Sequence, residues 1–139
     1  MTSAQLTAYS TVREFGGYAL PVPIQNQLLR SYCEKNGYVF KLSSSETYIN
    51  NNYMYLNNLI DKSCNKANIG MCSIYMFPKE IEKYNAIEEK IINKELVFHF
   101  IFENAKILSK DLRKLYMNSR LRFLEDNSDE SIEELIKLM

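Results

Sequence analysis

The sequence holds one histidine, His99, and a carboxylate, Glu103, stands four residues beyond it. An imidazole beside a carboxylate can be held in one tautomer and used as a general acid or base near neutral pH. Both residues fall in or just after an apolar run, Leu96 to Phe102, that reads as a strand. Residues four apart on a strand share a face, so the pair can meet, although the spacing does not compel it. A core imidazole that makes structural hydrogen bonds explains His99 as well.

Other polar groups could grip a ligand. Arg13 lies in a loop with Gly16 and Gly17, where its planar guanidinium could clasp a phosphate or carboxylate, or face solvent. Asn26 and Arg30 are neighbours on one helix face, and Gln25 sits beside them. The run Ser43-Ser44-Ser45-Glu46 offers hydroxyls and a second carboxylate that could partner His99. Ser73 falls near the end of another apolar stretch. The sequence contains no phosphate-binding P-loop, dinucleotide-binding glycine fingerprint, metal motif or G-x-S-x-G elbow, and it calls for no cofactor or metal.

These residues need a scaffold that converges them, and the hydrophobic pattern supplies one. Leu6–Ser10, Tyr38–Leu42, Ile69–Phe77 and Leu96–Phe102 read as strands. Between them, Ile24, Leu28, Leu29 and Tyr32 recur at helical spacing over Val22–Lys35, and Asn36-Gly37 ends that helix. Tyr53, Leu56, Leu59, Ile60 and Cys64 mark a second helix. Ile81, Tyr84, Ile87, Ile91 and Ile92 mark a third, with Pro78 able to start it. Alternation of this kind predicts an α/β fold, a three-layer parallel sheet of about four strands in the order 2-1-3-4. Ligands of such sheets bind beyond the carboxyl ends of the strands. That rule brings Arg13, Gln25, Asn26, Arg30, Ser43, Glu46, Ser73, His99 and Glu103 to one edge.

Residues 1–108 make up this domain, and residues 109–139 read as a helical extension, in the same globular unit or at an oligomer interface. Ser109 can cap a helix bearing Leu112, Leu115 and Tyr116. Asn127 or Ser128 can cap a last one with Ile132, Leu135, Ile136 and Met139 on a stripe. Such a stripe must be covered by its own domain or by a partner, so a homodimer or higher oligomer is expected.

The bulk composition bounds the function. At 139 residues the chain fits one domain, and 46% hydrophobic content is enough for a core. Lys+Arg and Asp+Glu are both 17, so no basic excess favours nucleic acid. No run is long enough to span a membrane, and Met1 to Leu6 lacks the features of a signal peptide. Cys33, Cys64 and Cys72 are an odd, widely spaced set, read as three buried thiols in a reducing cytoplasm.

Two family resemblances follow from these residues. The order of elements, with a Gln near the start of the first helix, resembles the catalytic domain of serine recombinases, whose opening is Tyr-x-Arg-x-Ser. Here it is Tyr9-Ser10-Thr11-Val12-Arg13, with Ser10 at the arginine place and Val12 at the nucleophile place. Tyr75-Met76-Phe77 stands where that family has an Asp-Arg pair. The resemblance implies a resolvase-like fold without the recombinase chemistry.

The second resemblance is to the sporadic carbohydrate cluster proteins of bacterial glycan-biosynthesis loci. It rests on Arg13-Glu14-Phe15-Gly16-Gly17, Leu20-Pro21-Val22-Pro23-Ile24-Gln25-Asn26 and Arg30-Ser31-Tyr32-Cys33. Leu42-Ser43-Ser44-Ser45-Glu46 and His99-Phe100-Ile101-Phe102-Glu103 extend it, over roughly residues 9–108. It implies a cytoplasmic protein of surface-polysaccharide biosynthesis. One expectation is an enzyme on a sugar or nucleotide-sugar precursor, with His99 as acid/base, Glu46 or Glu103 as its carboxylate partner, and Arg13 and Arg30 as the anion grip. The alternative is a non-catalytic binding or scaffolding module for glycan enzymes.

Overall fold

The computed structural model describes residues 4–12, 20–42 and 53–125. Arg13, Ser43, Glu46 and the last amphipathic helix expected after Asn127 lie outside the described residues.

The strands are β1 (Gln5–Ala8), β2 (Val39–Leu42), β3 (Asn68–Met71), β4 (Val97–Phe100) and β5 (Ala105–Leu108). The helices are α1 (Val22–Asn36), α2 (Met54–Lys62), α3 (Ile81–Lys94) and α4 (Leu112–Glu125). The sheet order is β2-β1-β3-β4-β5. Its first four strands are parallel, as expected, while β5 pairs antiparallel with β4 and makes a fifth. The four-strand expectation fails at β5. A short turn with Asn104 at φ 50° returns the chain along β4, and a connection that short can only produce an antiparallel neighbour. Alternate residues of β5 are half-buried and exposed, as an edge strand requires.

The third strand is also shorter than the expected Ile69–Phe77. The Ser73 hydroxyl accepts the Tyr75 N–H at 3.2 Å and turns the chain into a single 3-10 turn, Ile74–Met76. The apolar residues beyond Met71 are therefore buried on a turn and not on a strand.

The two faces of the sheet pack differently. Ile69, Met71, Phe98 and Phe100 meet Phe77, Tyr84, Leu56, Ile60, Ile87 and Ile91 in the main aromatic and aliphatic core. The Phe77 ring sits edge-on to Phe98 and Phe100, at 5.4 and 6.2 Å. α4 joins the same core, since Tyr116 stacks on Tyr84 at 3.8 Å and donates to the Pro78 carbonyl at 2.6 Å.

The other face is covered by α1 and is tighter. A Cβ on Gly70 would fall 2.5 Å from Leu6 Cδ2 and 3.0 Å from Leu29 Cδ2, so only glycine lets the helix approach. α1 ends at Gly37, left-handed at φ 76°, as the Asn-Gly pair implied. Its buried line is Gln25, Leu29 and Cys33, spaced by four. This is one position off the apolar stripe read from the sequence, and Ile24 is left exposed. The physical reason lies in what Gln25 does.

Candidate functional site

Gln25 is fully buried, and its amide completes the end of β1. Nε2 donates to the Thr11 and Leu20 carbonyls, each at 2.7 Å, and Oε1 accepts the Thr11 N–H at 3.1 Å. The side chain thus pairs both backbone groups of Thr11, as a neighbouring strand would. Next to it the buried Ser10 hydroxyl donates to Asn26 Oδ1 at 2.7 Å. The carboxyl end of β1 is in this way locked to the first turn of α1.

A second polar group stands at the end of β3. Glu103 accepts from the Ile74 N–H at 2.6 Å and from the Ser73 hydroxyl at 3.0 Å. Burial pushes its carboxyl pKa up, against these two donors that favour the charged form. The buried Cys72 thiol, pushed up to about 12 by burial first and by Glu103 second, lies 3.8 Å from the Gln25 carbonyl. It connects the two groups, so Ser10, Thr11, Gln25, Asn26, Ser73 and Glu103 share the carboxyl edge of the sheet.

His99 lies elsewhere. It sits inside β4, in register with Gly70, and has no exposed surface. Nε2 is 2.9 Å from Asn68 Oδ1 and Nδ1 is 2.7 Å from the Tyr32 hydroxyl. An amide oxygen only accepts, so the proton is on Nε2, and Tyr32 donates to Nδ1. Tyr32 and Tyr38 stand edge-on to the ring at 5.5 and 4.9 Å. Burial, then the cation of Lys106 on β5, lowers the imidazole pKa to about 4. Both ring nitrogens are thus occupied, and Glu103 is not their partner, because its carboxylate faces Ser73 and Ile74. Arg30 is also apart, since its guanidinium lies 4.7 Å above the Phe40 ring on β2.

Sequence reasoning missed Tyr32 and Asn68 as the partners of His99. Tyr32 stands in the Arg30-Ser31-Tyr32-Cys33 stretch, which was a usable signal, whereas nothing marked Asn68. The tyrosine also borders a cleft of about 430 Å3 with Lys35 and Lys106. The expectation of three buried thiols fails at Cys64, which is exposed because it follows the end of α2 at the surface, while Cys33 and Cys72 are buried. Among the described residues no group of three His, Cys, Asp or Glu is placed to hold a metal. No helix among them is long and apolar enough to cross a membrane.

The comparisons with known proteins bear on the fold. The crystal structure of the N-terminal catalytic domain of TP901-1 integrase superposes with a TM-score of 0.56 at 12% identity, covering 73% of this chain and 80% of that chain. The chain therefore has a resolvase-like fold. At that identity the likeness speaks to architecture alone. Here the buried Ser10 and the exposed Val12 fill the arginine and nucleophile places of the opening motif. No protein-family model matches the sequence, and no curated protein matches it. Neither comparison supports the glycan-locus resemblance, which rests on the quoted residues alone.

Proposed function

We propose that this chain is a non-catalytic binding module of cytoplasmic surface-polysaccharide biosynthesis, which takes a sugar or nucleotide-sugar at the carboxyl edge of its sheet. The observation that carries this choice over an acid/base enzyme is the sealed state of His99. A general base must reach the proton it removes, directly or through one water. An imidazole with no exposed surface, its nitrogens held by Tyr32 and Asn68, reaches neither.

The edge groups suit binding. The half-buried Asn26 and Glu103 are pre-oriented by the buried Ser10 and Ser73 hydroxyls and by backbone, so little ordering cost attends a ligand. The glycan context is supported by the motif residues, and self-association by the amphipathic stripe near the C-terminus. Neutral net charge and the apolar Val12 at the nucleophile place support a small-molecule ligand over nucleic acid.

A second reading keeps chemistry at Glu103, whose half-buried carboxyl with a raised pKa is suited to carry a proton. Titration calorimetry against a panel of nucleotide sugars, with product analysis on the same mixtures, tests both. Binding without turnover, weakened by Asn26→Ala, is the expected result. Turnover abolished by Glu103→Gln favours the second reading. Turnover abolished by His99→Gln, in a variant that keeps its fold and affinity, overturns the choice made here. Light scattering on the eluting protein tests self-association, and a monomeric mass rejects it.

A further inference from the structure

On the face of the sheet opposite α1, α2 leans over β1 and β2 and leaves a cleft of about 600 Å3. The helix divides its side chains sharply. Leu56 and Ile60 enter the core, and Tyr55 and Leu59, partly packed against it, form one wall with Asn58 and Lys62 at the spacing of an adjacent helical stripe. β2 contributes Lys41 to the floor, and the segment entering β3 closes the end with Lys66 and Asn68. Three lysines from three different elements converge here. Among the described residues no aspartate or glutamate lines the cleft. In a chain whose acidic and basic residues balance at 17 each, this is a marked local imbalance. Lys66 approaches Glu95 only at 4.0 Å, and both side chains are largely exposed, so solvent screens that pair.

The end wall is also rigid. Lys94 Nζ donates to the carbonyls of Ile60, Asp61 and Ser63 at 2.7, 2.6 and 3.0 Å, closing the C-terminus of α2. The Lys66 N–H bonds to the Lys94 carbonyl at 2.8 Å. A cleft of this size suits a small molecule of roughly nucleotide dimensions. Its chemistry is cationic at Lys41, Lys62 and Lys66, apolar and aromatic at Leu59 and Tyr55, and amide-bearing at Asn58.

We propose that this cleft binds a nucleoside diphosphate, with the lysines taking the phosphates and the Tyr55 side receiving the base. The site is separate from the carboxyl edge and stands or falls without it. The test is titration of the full chain with UDP and ADP, with pyrophosphate, UMP and a 15-nucleotide single strand as comparisons. Saturable UDP or ADP binding that exceeds the monophosphate and weakens with salt is expected. The double variant Lys41→Ala, Lys62→Ala should weaken it by about tenfold or more, given what hydrogen bonds to charged groups contribute, while Lys110→Ala, at an exposed lysine outside the cleft, leaves it unchanged. Circular dichroism confirms that the variants fold.

Cys64 lies in the same cleft, so bound nucleotide should also slow its alkylation by iodoacetamide. Absence of saturable binding overturns the proposal. So does binding that survives the double variant but is lost with Asn26→Ala, which would place the nucleotide at the carboxyl edge. Tighter, lysine-dependent binding of the single strand than of any nucleotide overturns it as well and makes the cleft a nucleic-acid groove.

Discussion

Protonation of His99 should destabilise the fold, and the only histidine of the chain makes this measurable without ambiguity. The imidazole pKa falls from its ordinary 6.5 to about 4 in the folded protein. The unfolded chain therefore binds a proton first as pH drops. A folded-state pKa below the unfolded value means stability that is complete above pH 6.5 and is lost progressively toward pH 4. At about 1.36 kcal/mol per pH unit the full loss is about 3 kcal/mol, of which about 2 kcal/mol is gone by pH 5. Glu103 works in the other direction. Its pKa is raised, so its contribution favours the folded state at low pH and fades as pH rises through the folded value.

The comparison that isolates His99 is consequently with His99→Gln, which leaves Glu103 in place and has nothing to titrate at position 99. Urea unfolding of both proteins from pH 7 to pH 5 should show the stability gap shrinking by about 2 kcal/mol as the wild type loses its advantage. The proton NMR signal of the ring should stay at its neutral position across the same range. An imidazole that titrates near 6.5 in the folded protein, or parallel stability profiles for the two chains, would refute the sealed Tyr32–His99–Asn68 arrangement.

Three further outcomes follow from the same packing. Gly70→Ala places a methyl 2.5 Å from Leu6 Cδ2 and 3.0 Å from Leu29 Cδ2, and should cost about 1–3 kcal/mol in chemical denaturation; an unchanged midpoint would mean that the Leu6 and Leu29 side chains are free to shift. Gln25→Ala strips the Thr11 N–H and carbonyl of their side-chain partner, and should cost about 3 kcal/mol or more, whereas Gln25→Glu keeps only the acceptor and should fall between. Thiol titration of the native protein should find Cys64 alone reactive, with Cys33 and Cys72 appearing only in denaturant; fast reaction of a second thiol would contradict the burial of both.

The parallel part of the sheet was legible because β3 and β4 are largely buried and read as apolar runs, and because amphipathic helices separate its strands. Gly37 was legible because left-handed helix ends select glycine. The end of β3 was not, since residues Cys72 to Phe77 are as apolar on a buried turn as on a strand. What distinguishes them is the Ser73 hydroxyl and a carboxylate thirty residues later. β5 was lost for a related reason. Four residues with weak alternation carry little signal, and the turn before them is marked only by Asn104. The one-position error on α1 shares that logic, because hydropathy counts Gln25 as polar and cannot register an amide that replaces a strand.

For the site, residue type proved a weaker guide than position. His99 was the natural choice for catalysis because imidazole is scarce and versatile, yet it lies inside β4 and strand parity turns it under α1, where Tyr32 and Asn68 hold it. Glu103, only four residues on, follows the end of β4 in the turn and is free to reach Ser73. The sequence spacing treats the two as equivalent neighbours, and the strand end between them separates a core residue from an edge residue. The cationic cleft shows the converse. Lys41, Lys62 and Lys66 have no motif and look like ordinary surface charge one at a time. They become a site only because the β2-β1-β3 order brings the face of β2 and the entry to β3 under one helix. A ligand on that face would meet none of the residues that chemistry alone singles out. A search for its function guided only by His99 would therefore mutate the wrong side of the sheet.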